Sequence, residues 1–222
     1  MRYSNASDSE LSNRACGLFK YLATCFSPTD LPRVLFSRSQ LSDKVLASSF
    51  SSSLLADSYS NLSNDPGRIF RCITEHNDVR MIILDVIIDN LSGPPPTLSH
   101  YLLGMVGEGK GYVLGGSDTS QSSSLLNCFD AVLTLLNIPT FLTSASTAPI
   151  ASRCYELIYR LCESPSTSEI ARARLQSSSF WEEHTINLFA DERGGEGELE
   201  DSVACICNQL LAALINSHSV HM

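Results

Sequence analysis

The sequence predicts an all-α fold, an α-solenoid of irregular helix pairs stacked along a single segment, residues 1–222. Three observations lead there. Apolar residues recur at helical spacing in segment after segment, and no strict two-residue alternation runs long enough for a sheet. Helices of roughly 10 to 16 residues alternate with Ser-, Gly- and Pro-rich links, with no tight repeat of about 33 or 34 residues. Helix pairs that each expose an apolar face stack on their neighbours, which favours an array over a closed bundle.

Leu11, Ala15, Leu18, Phe19, Leu22 and Phe26 mark one face of a first helix, closed by Ser27-Pro28. A second helical region runs from about Leu31 to Leu55, with a break expected in the serine cluster Ser51-Ser52-Ser53. Asp65-Pro66-Gly67 starts the next helix, since the missing N–H of Pro66 has no partner in a first turn anyway. The stretch Asp78 to Leu91 is β-branched enough for a buried strand. Asp85 and Asp89 lie four apart, however, and Ile82, Ile83, Val86 and Ile87 form a helical stripe, so a buried helix is expected. Gly93-Pro94-Pro95-Pro96 stops it, because proline lacks the donor and clashes with the preceding turn.

A short helix then opens on Thr97 and extends to Met105, followed by a Gly- and Ser-rich loop from Val106 to Ser124. Leu125, Leu126, Phe129, Val132, Leu133 and Leu136 define an amphipathic helix. Pro139 and Pro149 bracket a second loop. Ile150, Cys154, Leu157, Ile158 and Leu161 form the next stripe, ended by Ser164-Pro165. Thr167 to Gln176 and Phe180 to Phe189 read as two further helices. Residues 191–201 form an acidic, Gly-rich loop, and residues 202–215 a last helix.

Composition narrows the function. Apolar residues make up 43% of the chain and charged residues 18%, with a net charge of -9. Binding to a polyanion rests largely on neutralised phosphates, and no short window is rich in Lys or Arg, so no direct nucleic-acid partner is expected. The eight cysteines mostly sit within apolar helical patterns, where a free thiol behaves as a small hydrophobe in a reducing compartment. The N-terminus lacks the apolar core of a signal peptide. The most apolar stretch, Val203 to Ile215, is interrupted by Asn208 and Gln209 and is too short to span a bilayer. A soluble, intracellular protein is expected.

No catalytic, cofactor-binding or metal-binding residue is assigned, and no cofactor is expected. Gly104-Met105-Val106-Gly107-Glu108-Gly109-Lys110-Gly111 approaches a phosphate-binding loop, with Met81 to Asp85 resembling a magnesium-binding strand end. Gly111 stands where a Ser or Thr hydroxyl must hold the metal, and the preceding element reads as a helix. A mobile loop is the reading preferred over a nucleotide hydrolase using Lys110. His76, His100, His184, His218 and His221 are scattered, and no Cys-x2-Cys occurs. There is no Gly-x-Ser-x-Gly elbow. Glu182 and Glu183 beside His184 point apart on a helix, and an exposed face accounts for them.

Three collinear patches resemble one family. Val79 to Leu91 is followed by Pro94-Pro95-Pro96-Thr97-Leu98-Ser99-His100-Tyr101-Leu102-Leu103-Gly104. Cys128-Phe129-Asp130-Ala131-Val132-Leu133-Thr134-Leu135-Leu136-Asn137 comes next, and then Cys154-Tyr155-Glu156-Leu157-Ile158-Tyr159-Arg160-Leu161-Cys162. Together these are similar to the middle of the large inner-ring scaffold nucleoporins of the nuclear pore complex, over a family-like core at residues 76–190. The resemblance implies HEAT- and armadillo-like helix pairs, a structural role in pore assembly and nucleocytoplasmic transport, and location at the nuclear envelope. It implies linker and scaffold nucleoporins as partners and supplies no catalytic residue. Tyr101, Leu102 and Leu103 are expected to fill space between helix pairs. Family members are several times longer, so the chain reads as a fragment, a split gene product or a partial gene model, and its glycine-rich loop departs from the family. The apolar stripe Val203, Ile206, Leu210, Leu211 and Leu214 leads us to expect self-association of the isolated chain. Another armadillo- or HEAT-like adaptor, such as a transport receptor, is the alternative.

Overall fold

The computed structural model of the chain describes residues 9–38, 43–56, 66–105, 127–138, 141–142, 144, 146–178, 180–181 and 184, with the side chains of 9–12, 37–38 and 66–76 outside the description. All regular structure among these residues is helical. Two compact units emerge, one of Met1–Gly104 with Ser120–Val132, the other of Met105–Thr119 with Leu133–Met222.

The first unit opens with α1 (Ser9–Cys25), α2 (Asp30–Arg38) and α3 (Asp43–Leu55). Its long helix α4 (Pro66–Asp89) packs against α1 and α3, and a 3-10 turn (Asn90–Ser92) leads on to α5 (Leu98–Leu102). The start of α6 (Cys128–Leu136) completes it. Ser27 at the α1–α2 junction accepts from the Asp30 backbone N–H, the N-cap bond that starts α2. Phe19 of α1 meets Phe50 of α3 at a ring separation of 5.1 Å.

The serine cluster does not break α3, contrary to expectation. Ser51 and Ser52 donate to the Ser48 carbonyl and Ser53 to that of Ser49, so these hydroxyls are satisfied inside the helix and the backbone continues through them. The β-branched stretch is helical, as its periodicity indicates. It is buried around much of its circumference through Val79, Ile83, Leu84, Val86, Ile87 and Ile88, which explains why its apolar stripe is so wide.

Helix α5 is shorter than expected, ending at Leu102 rather than Met105. Gly104 has φ +69°, a left-handed conformation that terminates a helix and that side chains disfavour. A Cβ there would also lie 3.0 Å from Asn127 Nδ2, so any larger residue would push on the cap of α6. That cap is reciprocal. The Asp130 N–H donates to Asn127 Oδ1 at 2.9 Å, and Asn127 Nδ2 donates to Asp130 Oδ2 at 3.0 Å.

The second unit holds the remainder of α6, then α7 (Ala148–Glu163) and α8 (Ser168–Ser177), with Pro149 in the first turn of α7. Helices α7 and α8 pack on each other. Each is entered by the same turn. Ser144 to Thr147 and Ser164 to Thr167 both read Ser-x-Ser-Thr, twenty residues apart. In both, the serine hydroxyls pair at 2.9 Å and the Thr N–H donates back to the first serine's carbonyl. The Thr hydroxyl donates six residues back in each, Thr147 to the Phe141 carbonyl and Thr167 to that of Leu161. The chain thus repeats a turn that ties each new helix to the segment before it.

The predicted 202–215 helix and the 191–201 loop lie outside the described residues.

Candidate interaction surface

The chemistry weighed in the sequence does not converge on a centre. Of the glycine-rich stretch only Gly104 and Met105 are described, and Gly104 serves to end α5; Lys110 lies outside the described residues. Met81 to Asp85 is helical, and Asp85 there accepts from Lys20 Nζ at 2.7 Å instead of ending a strand. Among the described residues no three His, Cys, Asp or Glu side chains gather as metal ligands, and no helix is long and apolar enough to cross a membrane.

The two histidines whose side chains are described are structural. His100 is buried at the start of α5, where its Nδ1 accepts from the Thr97 N–H at 3.2 Å and lies 2.7 Å from the Thr97 hydroxyl. This is a capping box with histidine where Glu or Gln is usual. Beside it the Ser99 hydroxyl donates to the Ile87 carbonyl at 2.6 Å, tying α5 to the end of α4. Burial holds the His100 pKa below the ordinary imidazole value. The unfolded chain therefore takes up this proton first, and stability falls as pH drops below about 6.5. We expect urea midpoints to decline from pH 7.5 to pH 5.5, and the decline to shrink in His100→Gln, which keeps a capping acceptor that does not titrate. Parallel declines in both proteins would refute this role.

His184 does not sit on the exposed face expected for it. It is buried against Phe180, ring centres 4.3 Å apart, and its Nδ1 pairs with the Tyr155 hydroxyl at 2.8 Å. Glu182 and Glu183 lie outside the described residues. Cys128, Cys154 and Cys162 are buried free thiols, and burial pushes Cys162 up to about 11 against the opposing charge of Arg172. Cys25 differs from the expectation for the cysteines and is exposed.

The family-like patches are mostly interior. Leu102 and Leu103 are fully buried, and the Tyr101 ring meets that of Phe36 at 4.8 Å, tilted by 50°. Cys128, Phe129, Ala131, Val132, Leu135 and Leu136 are also buried. On α7 the outward Glu156 joins Arg153 and Arg160 at 2.6 and 3.0 Å. Partial burial raises this carboxyl, but the bonds from the two arginines outweigh it and leave its pKa lowered. Such exposed pairs contribute only about 0.3–0.5 kcal/mol each.

What the first unit offers outward is contact surface. Leu18 and Tyr21 of α1 are 62% and 65% exposed, and with Cys25 they follow a three- and four-residue spacing along its outer face. On another side, α1 and the end of α4 enclose an open groove of ≈ 360 Å³, lined by Lys20, Ala23, Phe26, Val86, Asp89 and Asn90 among others. The Asp85/Asp89 spacing was legible as helical, but no sequence signal marked the groove, because its lining comes from helices more than sixty residues apart.

A comparison with family sequence models matches residues 31–191 to the family described as nuclear pore complex scaffold, nucleoporins 186/192/205. No curated protein and no solved structure matches the chain.

Proposed function

Because this chain belongs to the nuclear pore complex scaffold family of nucleoporins 186/192/205, we propose that it works in the inner ring, holding other nucleoporins by surface contact and so supporting nucleocytoplasmic transport. The observation that carries the reading is the match over residues 31–191, most of the chain and continuous through both units. The family is structural, and its members are components of the pore in the nuclear envelope.

The interior agrees with a scaffold's needs. Buried polar groups fasten one segment to another, through Ser99 to Ile87 and Tyr155 to His184, and Thr97 with His100 closes the start of α5. The repeated Ser-x-Ser-Thr entry favours a solenoid, since the same turn gives successive helices the same local start. Linker nucleoporins, which would lie along such an array as short segments, are the partners this reading favours.

Proximity labelling from a tagged chain in cells tests it. Inner-ring nucleoporins are expected among the strongest neighbours, together with a punctate nuclear rim by fluorescence. A cytosolic neighbourhood with no enrichment of pore components would reject the assignment to the inner ring.

A further inference from the structure

We propose that the outer face of α1 receives a second copy of this chain, the two α1 helices lying antiparallel with Ala15, Leu18, Leu22 and Cys25 of each forming the seam. This goes beyond the pore reading and does not depend on it.

Helical spacing sets Leu11, Ala15, Leu18, Phe19, Leu22 and Phe26 on one stripe. The structure divides that stripe. Phe19 turns in to meet Phe50, Ala23 beside it is buried, and Lys20 reaches Asp85 on α4. Ala15, Leu18 and Cys25 face outward instead, with Leu22 half-buried between them. A single exposed leucine is ordinary, whereas a contiguous apolar row along a helix marks a contact.

Spacing says what kind of element covers the row. From Leu11 to Cys25 the steps are four, three, four and three residues. That alternation is the 3.5-residue period of a coiled-coil seam, which another helix fits and a strand or loop does not.

The row also completes itself. In an antiparallel pair Leu18 of each helix meets Leu22 of the other in two central layers. Ala15 then meets Cys25 at both ends. Each outward position is used once, as a two-fold contact requires. Charge selects both the occupant and its direction. The chain carries a net charge of -9, yet α1 holds only Glu10 against Arg14 and Lys20, so self-repulsion is least here. The last turn of α1 has no basic residue, and a helix C-terminus favours a cation. Antiparallel pairing brings the exposed Arg14 of each copy to that end of the other, whereas parallel pairing sets like ends together.

Sedimentation velocity and a designed disulfide test this on the full chain. We expect a monomer–dimer equilibrium with half-association on the order of 10⁻⁴ M, since two heptads bury less than a standard stable interface. Leu18→Glu should abolish it and leave the melting temperature of the monomer unchanged, because residue 18 is 62% exposed. Ala15→Cys should join Cys25 of a second copy by a disulfide, mapped by mass spectrometry. Oxygen with a copper catalyst is the oxidant, taking the two electrons and two protons that the thiols release. Within one chain these positions lie about 15 Å apart along the helix, too far for the bond. A chain still monomeric at about five times the expected half-association concentration would overturn the proposal. So would self-association that survives Leu18→Glu, which places the contact elsewhere. A Cys25–Cys25 link in place of the Ala15→Cys link would mean a parallel pair and would overturn it too. None of these outcomes bears on cellular location, so either reading can fail alone.

Discussion

Phe129→Ala is expected to lower stability by about 3–5 kcal/mol, the usual cost of emptying a fully buried phenylalanine site. The residue follows Cys128, which is itself wholly buried and whose thiol points to the Ala47 carbonyl at 3.9 Å. Asn127 and Asp130 fix the first turn of α6 from either side of Phe129. The helix start therefore has little freedom to collapse into the cavity, which places the expected loss toward the upper part of that range. Phe129→Leu keeps most of the volume and should lose less than half as much. Urea denaturation followed by circular dichroism measures both. A Phe129→Ala loss below about 1 kcal/mol would show that the site is not packed as described.

Arg80→Met is the second large effect, at about 2–4 kcal/mol. Arg80 is only 8% exposed, and its guanidinium closes the C-terminus of α3. Nε donates to the Leu54 carbonyl at 2.8 Å and Nη2 to that of Ala56 at 2.9 Å, while Nη1 reaches Asn77 Oδ1 at 3.5 Å. Carbonyls at the end of a helix have no intrahelical partner, and a cation there is favoured by the dipole. Methionine would fill much of the space but leave both carbonyls without their donors. Arg80→Lys should recover less than half of the loss, since one ammonium cannot reproduce a fork aimed at two oxygens. Buried contacts are poorly screened, so the loss should change little between low and physiological salt. An Arg80→Met protein within about 0.5 kcal/mol of the parent would rule out this clamp.

Arg80 also shows where reading the sequence runs out. It lies inside an apolar helical stretch, where a lone arginine reads as a charge at the edge of the buried face. Its partners, Leu54 and Ala56, precede it by more than twenty residues and contribute only backbone oxygens, which carry no sequence signature. His184 is a similar case. Nothing in its neighbours announces Tyr155, twenty-nine positions earlier, as the group that holds it. The Ser-x-Ser-Thr repeat, by contrast, was visible in the letters. It is easily passed over because four polar residues with one variable position resemble any loop until their hydrogen bonds are seen to coincide.

Helix starts and stops were legible when a local conflict enforced them. Pro149 suits a first turn, and Ser27-Pro28 and Ser164-Pro165 end the helices before them for reasons confined to a few bonds. The serine run of α3 misled because serine's preference to leave a helix is small, and three back-bonded hydroxyls offset it. The early end of α5 comes with the left-handed conformation of Gly104, φ +69°, which the letters alone did not mark as a stop.

The amino-acid order by itself determined that the described elements are helical, which faces of α6 and α7 turn inward, and to which family the chain belongs, though on α1 it set Leu18, which is 62% exposed, on the inward stripe. Those properties follow from periodicity, from the short-range chemistry of proline and caps, and from the identity of residues along the line. Tertiary structure alone decided which polar groups became fasteners and which were left facing outward. The groove beside Asp89 exists only because α1 and the end of α4 come together, and that approach depends on burial summed over whole helices. A side chain's role there depends on neighbours remote in sequence, through distances that no local pattern encodes.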